Sequence, residues 1–257
     1  TFKKWKKINF FSKNIFKKFD LCLAQNFETK NYLKKLGAIN IKQVGNLKFC
    51  ENKKNFYNKI KDYKIKFLKT KKILFCASST HSTEEIFFSK VFIELSKTYK
   101  DAISIIIPRH IDRAEEIGND LKKMGLNVHM HSSKNKINKK TEIYLVDSYG
   151  ETKLFYHICK IVFLGGSLIR HGGQNPLEAA RLGCKILHGP NIANFTEVYK
   201  LLNQINIATK VKSIFHTKKT IIKNLKNKPN TKKIEKKLFN LENKILLNNK
   251  NELEKYI

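Results

Sequence analysis

The chain has 257 residues, and with 41% hydrophobic and 28% charged residues it has the length and apolar content for one large or two modest domains. No stretch reaches the roughly 18–20 apolar residues of a membrane-spanning helix, and the lysine-rich start lacks both an initiator Met and the pattern of a signal peptide. The five cysteines are scattered and odd in number, which argues against a disulfide framework and a zinc site and indicates a reducing cytosol.

The formal net charge of +31 is distributed unevenly along the sequence. Residues 1–71 carry 20 basic and 4 acidic side chains and residues 209–257 carry 14 and 4, whereas residues 72–208 carry 18 and 13. Of the 52 basic residues 48 are Lys, although sites that read bases or grip phosphates favour Arg. We therefore attribute most of the charge to a compositional bias toward Lys, Asn and Ile, with a functional basic surface as the alternative.

The first 49 residues show a strand–helix–strand pattern that is too small to be a domain. Strands are predicted at 21–25 and 41–46, on either side of a helix at 27–36. Such a unit cannot bury both of its faces, so we expect it to be the last part of an N-terminal α/β domain, followed by a linker at 50–70.

The segment 2–19 interleaves Lys with aromatic residues and carries no Arg. As a helix on a membrane surface it would dip Phe2, Trp5, Phe16 and Phe19 into an anionic leaflet while its lysines meet the head groups. A helix packed against the rest of an N-terminal domain is the alternative that the same pattern allows.

Residues 71–211 alternate apolar strands with amphipathic helices. This alternation predicts a doubly wound parallel sheet, in which ligands bind beyond the carboxyl ends of the strands. The remaining residues, 212–257, are rich in Lys and Asn but keep helical spacing, so a basic helical tail is expected. Strands are predicted at 71–79, 102–108, 127–131, 141–147, 160–166 and 184–190, and helices at 82–99, 112–124, 150–159, 175–182 and 194–205, the last capped by Asn194 or Thr196.

Five short polar stretches follow predicted strands and should therefore gather at one edge of the sheet. Their residues are suited to binding an anion and a ribose. Paired glycines let backbone N–H groups approach a phosphate, and Arg109 offers two hydrogen-bond donors of one guanidinium. Glu178 could accept hydrogen bonds from ribose hydroxyls. The sequence lacks both GxGxxG and a Walker A motif, which disfavours NAD binding and ATP hydrolysis. The stretches are 78–85, 108–110, 147–151, 165–178 and 188–190, and the paired glycines are Gly165, Gly166, Gly172 and Gly173.

Four histidines lie in these stretches, namely His81, His110, His171 and His188. Imidazoles gathered at one edge could in principle hold a metal ion, but no HExxH or HxH pattern occurs among the four. We therefore predict neither a metal site nor a bound cofactor.

Six motifs occur in a fixed order: VGNLKF (44–49), ASSTHSTEE (77–85), IIIPRHIDRAEEI (105–117), LVDSYGE (145–151), FLGGSLIRHGGQNPLEAARLG (163–183) and GPNIANFTEV (189–198). Over residues 1–211 the sequence resembles the 3-deoxy-D-manno-octulosonic acid (Kdo) transferases of Gram-negative lipopolysaccharide synthesis. The resemblance implies the GT-B glycosyltransferase fold, with an N-terminal domain for the lipid acceptor and a C-terminal domain for the donor CMP-Kdo. This chain would then comprise the end of the first domain (1–49), a linker (50–70), a Rossmann-like CMP-sugar-binding domain (71–211) and the tail (212–257).

The resemblance also implies roles for individual residues. The family usually has Met at the position of Tyr149 and often His at that of Gln174, so a titrating group at position 174 is not expected here. The family's catalytic Glu base has no counterpart in the sequence, so the chain alone is expected to be inactive. CMP would be contacted by Pro108 and Arg109, by Tyr149, Gly150 and Glu151, and by Asn175, Pro176, Leu177 and Glu178, with Glu178 on the ribose and Lys48 beside the leaving phosphate.

The function that the resemblance implies is an inverting transfer of Kdo from CMP-Kdo to a lipid A precursor, at the cytoplasmic face of the bacterial inner membrane. CMP carries a single phosphate, so no divalent ion is expected to assist its departure. Two alternatives remain open: another GT-B enzyme that uses a UDP-sugar, and a basic module that binds nucleic acid or a membrane surface. Specific nucleic-acid binding is not expected, because the basic segments contain no Arg.

Overall fold

The computed structural model describes residues 2–50, 63–227, 229 and 231–256. The chain divides into two compact units, one made of Thr1–Lys54 together with Glu235–Ile257 (unit 1) and the other of Asn55–Ile234 (unit 2). Of the predicted linker, residues 51–62 lie outside the described residues.

Unit 1 is built around a small parallel sheet. Strands β1 (Cys22–Ala24) and β2 (Ile41–Gln43) pair in register, with Cys22 opposite Ile41, and confirm the two predicted strands. The helix between them, α3 (Phe27–Lys35), begins at Asn26, whose side chain accepts a hydrogen bond from the N–H of Thr29. The sheet is preceded by α1 (Phe2–Lys7) and α2 (Asn9–Phe16).

The long helix α11 (Thr231–Leu253) begins in unit 2 and lies mostly in unit 1. Leu238 and Ile245 are buried along it. A Cβ on Gly45 would lie 2.7 Å from a side-chain carbon of Ile245, so only glycine lets the chain after β2 pass this close to the helix. The C-terminal residues are therefore part of the packing of unit 1.

The aromatic residues of segment 2–19 are not arranged as the membrane hypothesis expected. Phe2 stacks on Tyr32 with ring centroids 4.1 Å apart, and Trp5 meets Phe16 edge to face at 5.5 Å. Phe16 also contacts Phe19, with ring centroids 5.9 Å apart, so all four side chains that were expected to insert into a leaflet make intramolecular ring contacts. Of the four, Phe19 is exposed, together with Ile8, Phe10 and Phe11, which the hypothesis did not include.

Unit 2 contains a seven-stranded sheet in which each neighbouring pair of strands is parallel. The strand order β5-β6-β4-β3-β7-β8-β9 places the first strand, β3, in the centre, with β4, β5 and β6 on one side and β7, β8 and β9 on the other. The point of reversal lies between β3 and β7, where such sheets form a ligand crevice. The strands are β3 (Ile73–Thr80), β4 (Ala102–Pro108), β5 (Val128–Met130), β6 (Ile143–Leu145), β7 (Ile161–Leu164), β8 (Lys185–His188) and β9 (Ala208–Lys210).

Helices cover both faces of this sheet, which confirms the doubly wound architecture. On one face, Phe75 and Ala77 of β3 belong to a buried cluster with Phe88, Leu121 and Ile221 from three different helices. On the other face, the hydroxyl of Tyr156 donates a hydrogen bond to Ser78, the residue after Ala77. The helices of unit 2 are α4 (Tyr63–Lys69), α5 (Glu84–Ser96), α6 (Ala114–Lys123), α7 (Thr152–Cys159), α8 (Leu177–Arg181), α9 (Thr196–Gln204) and α10 (Ile214–Lys226).

The segments expected to lie outside the donor domain pack within the units. Ile65 and Leu68 of α4 are fully buried, although they fall in the predicted linker. The expected tail is divided, since α10 contacts α5 in unit 2 whereas residues 235–257 belong to unit 1. Among the described residues no helix combines the length and hydrophobicity needed to cross a membrane.

The predicted cap of α9 is wrong. A 3₁₀ turn, Ala193–Phe195, precedes the helix, and Phe195 occupies the capping position without a side-chain hydrogen bond. The Thr196 hydroxyl instead donates to the carbonyls of Ile192 and Ala193, and the Asn194 amide donates to the carbonyl of His171. Both polar groups are thus used by the preceding turn and a neighbouring loop.

Candidate functional site

The polar stretches predicted at the strand ends do follow the carboxyl ends of strands in one parallel sheet. They come after Thr80 of β3, Pro108 of β4, Leu145 of β6, Leu164 of β7 and His188 of β8. Since β3 and β7 flank the point of reversal, the crevice between their ends is the candidate site.

A buried carboxylate fills the loop that follows β7. Glu84, at the start of α5, is 0% exposed and accepts four backbone hydrogen bonds. Its Oε2 accepts from the N–H of His81 at 3.0 Å and of Gly166 at 2.7 Å. Its Oε1 accepts from the N–H of Ser167 at 3.2 Å and of Leu168 at 2.9 Å. The side chain therefore joins the end of β3 to the loop after β7.

This arrangement corrects the expectation that Gly165 and Gly166 cradle a phosphate. The amides of residues 166–168 already donate to Glu84, and the amide of Gly165 donates to the carbonyl of Ser78 at 2.8 Å. A Cβ on Gly165 would clash with the carbonyl of Ser79, so this glycine permits the close approach of the two strand ends.

The second glycine pair also serves packing. The Gly173 N–H donates to the carbonyl of Gly166 at 2.8 Å, which folds the loop back on itself. A Cβ on Gly172 would collide with the side-chain amide of Asn194. The role predicted for these glycines in phosphate binding is therefore replaced by loop closure.

Three of the four singled-out histidines assemble at this edge. The His81 ring lies 4.3 Å from that of His171 and 5.9 Å from that of His110. Desolvation, followed by the nearby positive charges of His171, His110 and Arg109, lowers the pKa of His81 to about 4. His81 is therefore neutral at pH 7. His188 is buried elsewhere, against the ring of Tyr199 at 4.5 Å.

Metal-ligating side chains do not converge here. Within residues 2–50, 63–227 and 231–256, no group of three or more His, Cys, Asp or Glu side chains is arranged to hold a metal ion.

Arg109 projects from the end of β4 into solvent. Its backbone N–H donates to the carbonyl of Thr80 at 2.9 Å, which fixes the residue beside the end of β3. Its side chain is exposed and forms no ion pair with any other described residue. The neighbouring Arg113 differs, because it pairs at 3.2 Å with Glu85, whose pKa burial raises. Arg109 thus offers at the crevice a guanidinium that forms no ion pair within the described part of the chain.

The strip 175–178 lies on the loop and first turn of α8. Pro176 occupies the N-cap position of this helix, and the side-chain oxygen of Asn175 accepts from the N–H of Leu177 at 3.0 Å. The helix begins at Leu177, two residues later than predicted. Glu178 forms an ion pair at 3.1 Å with Lys153 of α7, so a ribose would meet a carboxylate that already has a cation beside it.

The strip 149–151 forms the turn into α7. Tyr149 is 69% exposed, and Gly150 has a φ of +80° with open space around the position of a Cβ. Glu151 is the residue before the first turn of α7. Lys48 lies apart from these strips in the chain, in the 3₁₀ turn Leu47–Phe49 of unit 1.

The role of Glu84 was not predicted, because the local sequence 82–85 is also typical of an ordinary helix start. In the structure Thr83 has a φ of +79° and makes no side-chain cap, which leaves the carboxylate free to turn toward the loop after β7. No local pattern reveals this role, because the N–H groups that Glu84 accepts from at residues 166–168 are more than 80 residues away in the sequence.

Comparisons with known proteins agree with these features. The family model described as 3-deoxy-D-manno-octulosonic-acid transferase matches residues 1–51. The chain is 32% identical over 214 residues to the 3-deoxy-D-manno-octulosonic acid transferase of Rickettsia bellii, covering 83% of the chain and 50% of that protein. It is 28% identical to the enzyme of the same name from Haemophilus influenzae, covering 83% and 49%. The chain thus spans about half the length of these curated relatives.

Solved structures show the same relationship. The C-terminal CMP-Kdo binding domain of WaaA from Acinetobacter baumannii superposes with a TM-score of 0.58 and 25% identity, covering 70% of this chain and 91% of that domain. HepE from Anabaena, solved with UDP and glucose, covers 98% of the chain and 67% of that protein with a TM-score of 0.53, but at 12% identity it shows the fold alone. The predicted GT-B donor-domain fold is confirmed by the WaaA domain and the seven-stranded parallel sheet.

Proposed function

We propose that this chain, whose sequence is similar to the 3-deoxy-D-manno-octulosonic acid transferases, is the donor half of an enzyme of that family that transfers Kdo from CMP-Kdo to a lipid A precursor. The observation that carries the proposal is the similarity, at 25% identity, to the C-terminal CMP-Kdo binding domain of WaaA. The UDP-sugar alternative has weaker support, because the similarity to HepE is one of fold only.

In this proposal CMP lies along the carboxyl ends of β3, β4 and β7. The unpaired guanidinium of Arg109 donates to the phosphate, and Glu178 accepts from ribose hydroxyls while Lys153 holds its carboxylate in place. Because Glu84 occupies the amides of residues 166–168, recognition of the phosphate depends on side chains such as Arg109 rather than on a backbone cradle. The walls of the CMP site would be completed by Pro108, Tyr149, Gly150 and Glu151.

The reaction we propose is an inverting displacement. A general base outside the matched motifs deprotonates a sugar hydroxyl of the acceptor, the hydroxyl oxygen attacks the anomeric carbon of Kdo, and the bond to the CMP phosphate breaks. Lys48 would stabilise the negative charge of the departing phosphate. The reaction would take place at the cytoplasmic face of the inner membrane and would need no metal ion.

Nucleotide selectivity tests the proposal. We expect calorimetry to show tighter binding of CMP than of UMP or AMP. Arg109→Ala should weaken CMP by about 1.5–3 kcal/mol, since it removes a charge-assisted hydrogen bond, and Glu178→Ala should weaken it as well.

The controls are Lys90→Ala on α5 and Glu116→Ala on α6, which remove exposed charges of the same signs away from the crevice. Both should bind CMP like the unaltered chain. A preference for UMP would favour the UDP-sugar alternative, and normal CMP binding by Arg109→Ala would remove that residue from the site.

A further inference from the structure

Unit 2 has a second polar cavity, at the opposite ends of β8 and β9 from the donor crevice. Its volume is about 520 Å³, within the range of small-molecule sites. Lys185 is the first residue of β8 and Asn206 precedes β9, whereas the polar stretches of the donor crevice follow the last residues of the strands. The lining residues are Lys185, Asn206, Thr209, His216, Lys219, Thr220, Lys223, Asn224 and Asn227.

The charge of this cavity is of one sign. Lys185, Lys219 and Lys223 contribute three ammonium groups, and none of the lining residues, all of them described, is Asp or Glu. Burial, followed by the charge of Lys223, lowers the pKa of Lys185. The ammonium groups of Lys185 and Lys223 are thus close enough to repel each other, and an anion between them would relieve that repulsion.

Two buried nitrogen atoms in the wall lack a hydrogen-bond partner. They are Nδ1 of His216 and Nδ2 of Asn224, neither of which contacts an acceptor or donor among the described residues. Other polar groups of the wall are satisfied locally: the Thr220 hydroxyl donates to the carbonyl of His216 at 2.7 Å, and the Asn227 amide to that of Lys223 at 3.1 Å. Because an unpaired buried donor costs free energy, a ligand atom that accepts from Asn224 would be favoured.

We propose that this cavity is a binding site for a small phosphate-bearing molecule. Lys219 and Lys223 contact the phosphate, Lys185 faces it from the strand, and the Asn224 amide donates to one of its oxygens. The cavity is larger than an inorganic phosphate needs, so it also has room for an attached sugar. The proposal does not depend on the function assigned to the donor crevice.

The test uses the whole chain carrying Arg109→Ala, so that anion binding at the donor crevice is reduced. Inorganic phosphate, ribose 5-phosphate and uncharged ribose are titrated by calorimetry at constant ionic strength. We expect both phosphates to bind and ribose not to bind. Tighter binding of ribose 5-phosphate identifies a sugar phosphate as the ligand class, and equal binding identifies the phosphate group alone. No binding of either phosphate up to about 10 mM would overturn the proposal.

Charge variants locate the site. Adding Lys219→Gln and Lys223→Gln should weaken phosphate binding by about tenfold or more. The matched control, Lys212→Gln with Lys226→Gln, removes one exposed charge just before this helix and one at its last residue, and should change affinity by less than about twofold. If both double variants lost the same affinity for phosphate, the binding would be a general attraction to the basic surface, and the proposal would be overturned.

A variant without a charge change provides an independent readout. Asn224→Leu removes the unpaired donor, so it should weaken phosphate binding while leaving the thermal midpoint of the free chain equal or higher. If Asn224→Leu bound phosphate as tightly as the chain that keeps Asn224, the proposed hydrogen bond from the Asn224 amide to the phosphate would be contradicted.

Discussion

At the scale of single residues, Glu84 is the side chain on which the candidate site depends most. It has no contact with solvent and holds four N–H groups from two loops. A carboxylate suits this position because both of its oxygens accept and neither donates. An amide of the same shape would turn an NH₂ group toward backbone donors.

Glu84→Gln should therefore lower the free energy of unfolding by about 2–4 kcal/mol, since it leaves buried N–H groups without an acceptor. Urea denaturation measures the loss. Glu116→Gln, an exposed position on α6, is the control and should change stability by less than about 0.5 kcal/mol. If the two variants were equally stable, the hydrogen bonds of Glu84 would carry no net stabilisation.

His81 gives the protein a stability that depends on pH. Its pKa is lowered to about 4 in the folded state, so the unfolded chain binds a proton more readily. Above about pH 6.5, the pKa of this histidine in the unfolded chain, His81 therefore has no effect on the free energy of unfolding. As the pH falls from about 6.5 toward 4, His81 lowers the free energy of unfolding.

The measurement is the urea midpoint of the unaltered chain and of His81→Gln at pH 7, 5.5 and 4.5. The unaltered chain should lose more stability on acidification than the variant. His129, His157 and His188 also have lowered pKa values, so the contribution of His81 is the difference between the two curves rather than the whole slope. Parallel curves would show that His81 titrates normally.

At the scale of secondary-structure elements, the crevice requires the ends of β3 and β7 to approach closely. Ser79 has a φ of +53° at a register shift of β3, and Gly165 follows β7 directly opposite it. The bulge turns the end of β3 so that its carbonyl faces the glycine. Any side chain at position 165 would push the two strand ends apart.

Gly165→Ala should accordingly destabilise unit 2 by more than about 2 kcal/mol, because its methyl group overlaps backbone atoms that cannot move aside. Gly125→Ala is the comparison: Gly125 has a φ of +82° but open space for a Cβ, so it should cost only about 1 kcal/mol. Thermal unfolding of both variants separates the steric clash at position 165 from the cost of the left-handed conformation at position 125. Equal losses of stability in the two variants would contradict the steric clash.

The elements of unit 2 could be predicted from the sequence because their signals are local. Runs such as 73–80 and 102–108 are buried on both faces, so an uninterrupted apolar pattern was enough to identify them. The partners of Glu84 and the pairing of Lys153 with Glu178 were not predictable in this way. They join loops that meet only after β3 has paired with β7, so no local pattern encodes them.

At the scale of the whole molecule, the charge of +31 predicts a contrast between two kinds of binding. DNA bound by scattered lysines should lose affinity by orders of magnitude when salt rises from roughly 50 to 200 mM, through counterion release. CMP held by a few defined contacts in a crevice should be screened only weakly. Titrations at the two salt concentrations, with DNAs of different sequence, check this. Tight, sequence-selective DNA binding at the higher salt would favour the nucleic-acid module over the transferase.

Unit 1 is discontinuous in the sequence, and this affects how the protein can fold during synthesis. Residues of β1, α3 and β2 are made first, but Ile245, which packs against Gly45, and Glu242, whose carbonyl accepts from the Cys50 thiol, come after all of unit 2. A ribosome that adds about 5–20 residues per second leaves unit 1 waiting for roughly ten seconds or more while the intervening 180 residues emerge. Unit 2 can therefore fold before unit 1 closes, because unit 1 needs residues 235–257, which are synthesised after all of unit 2.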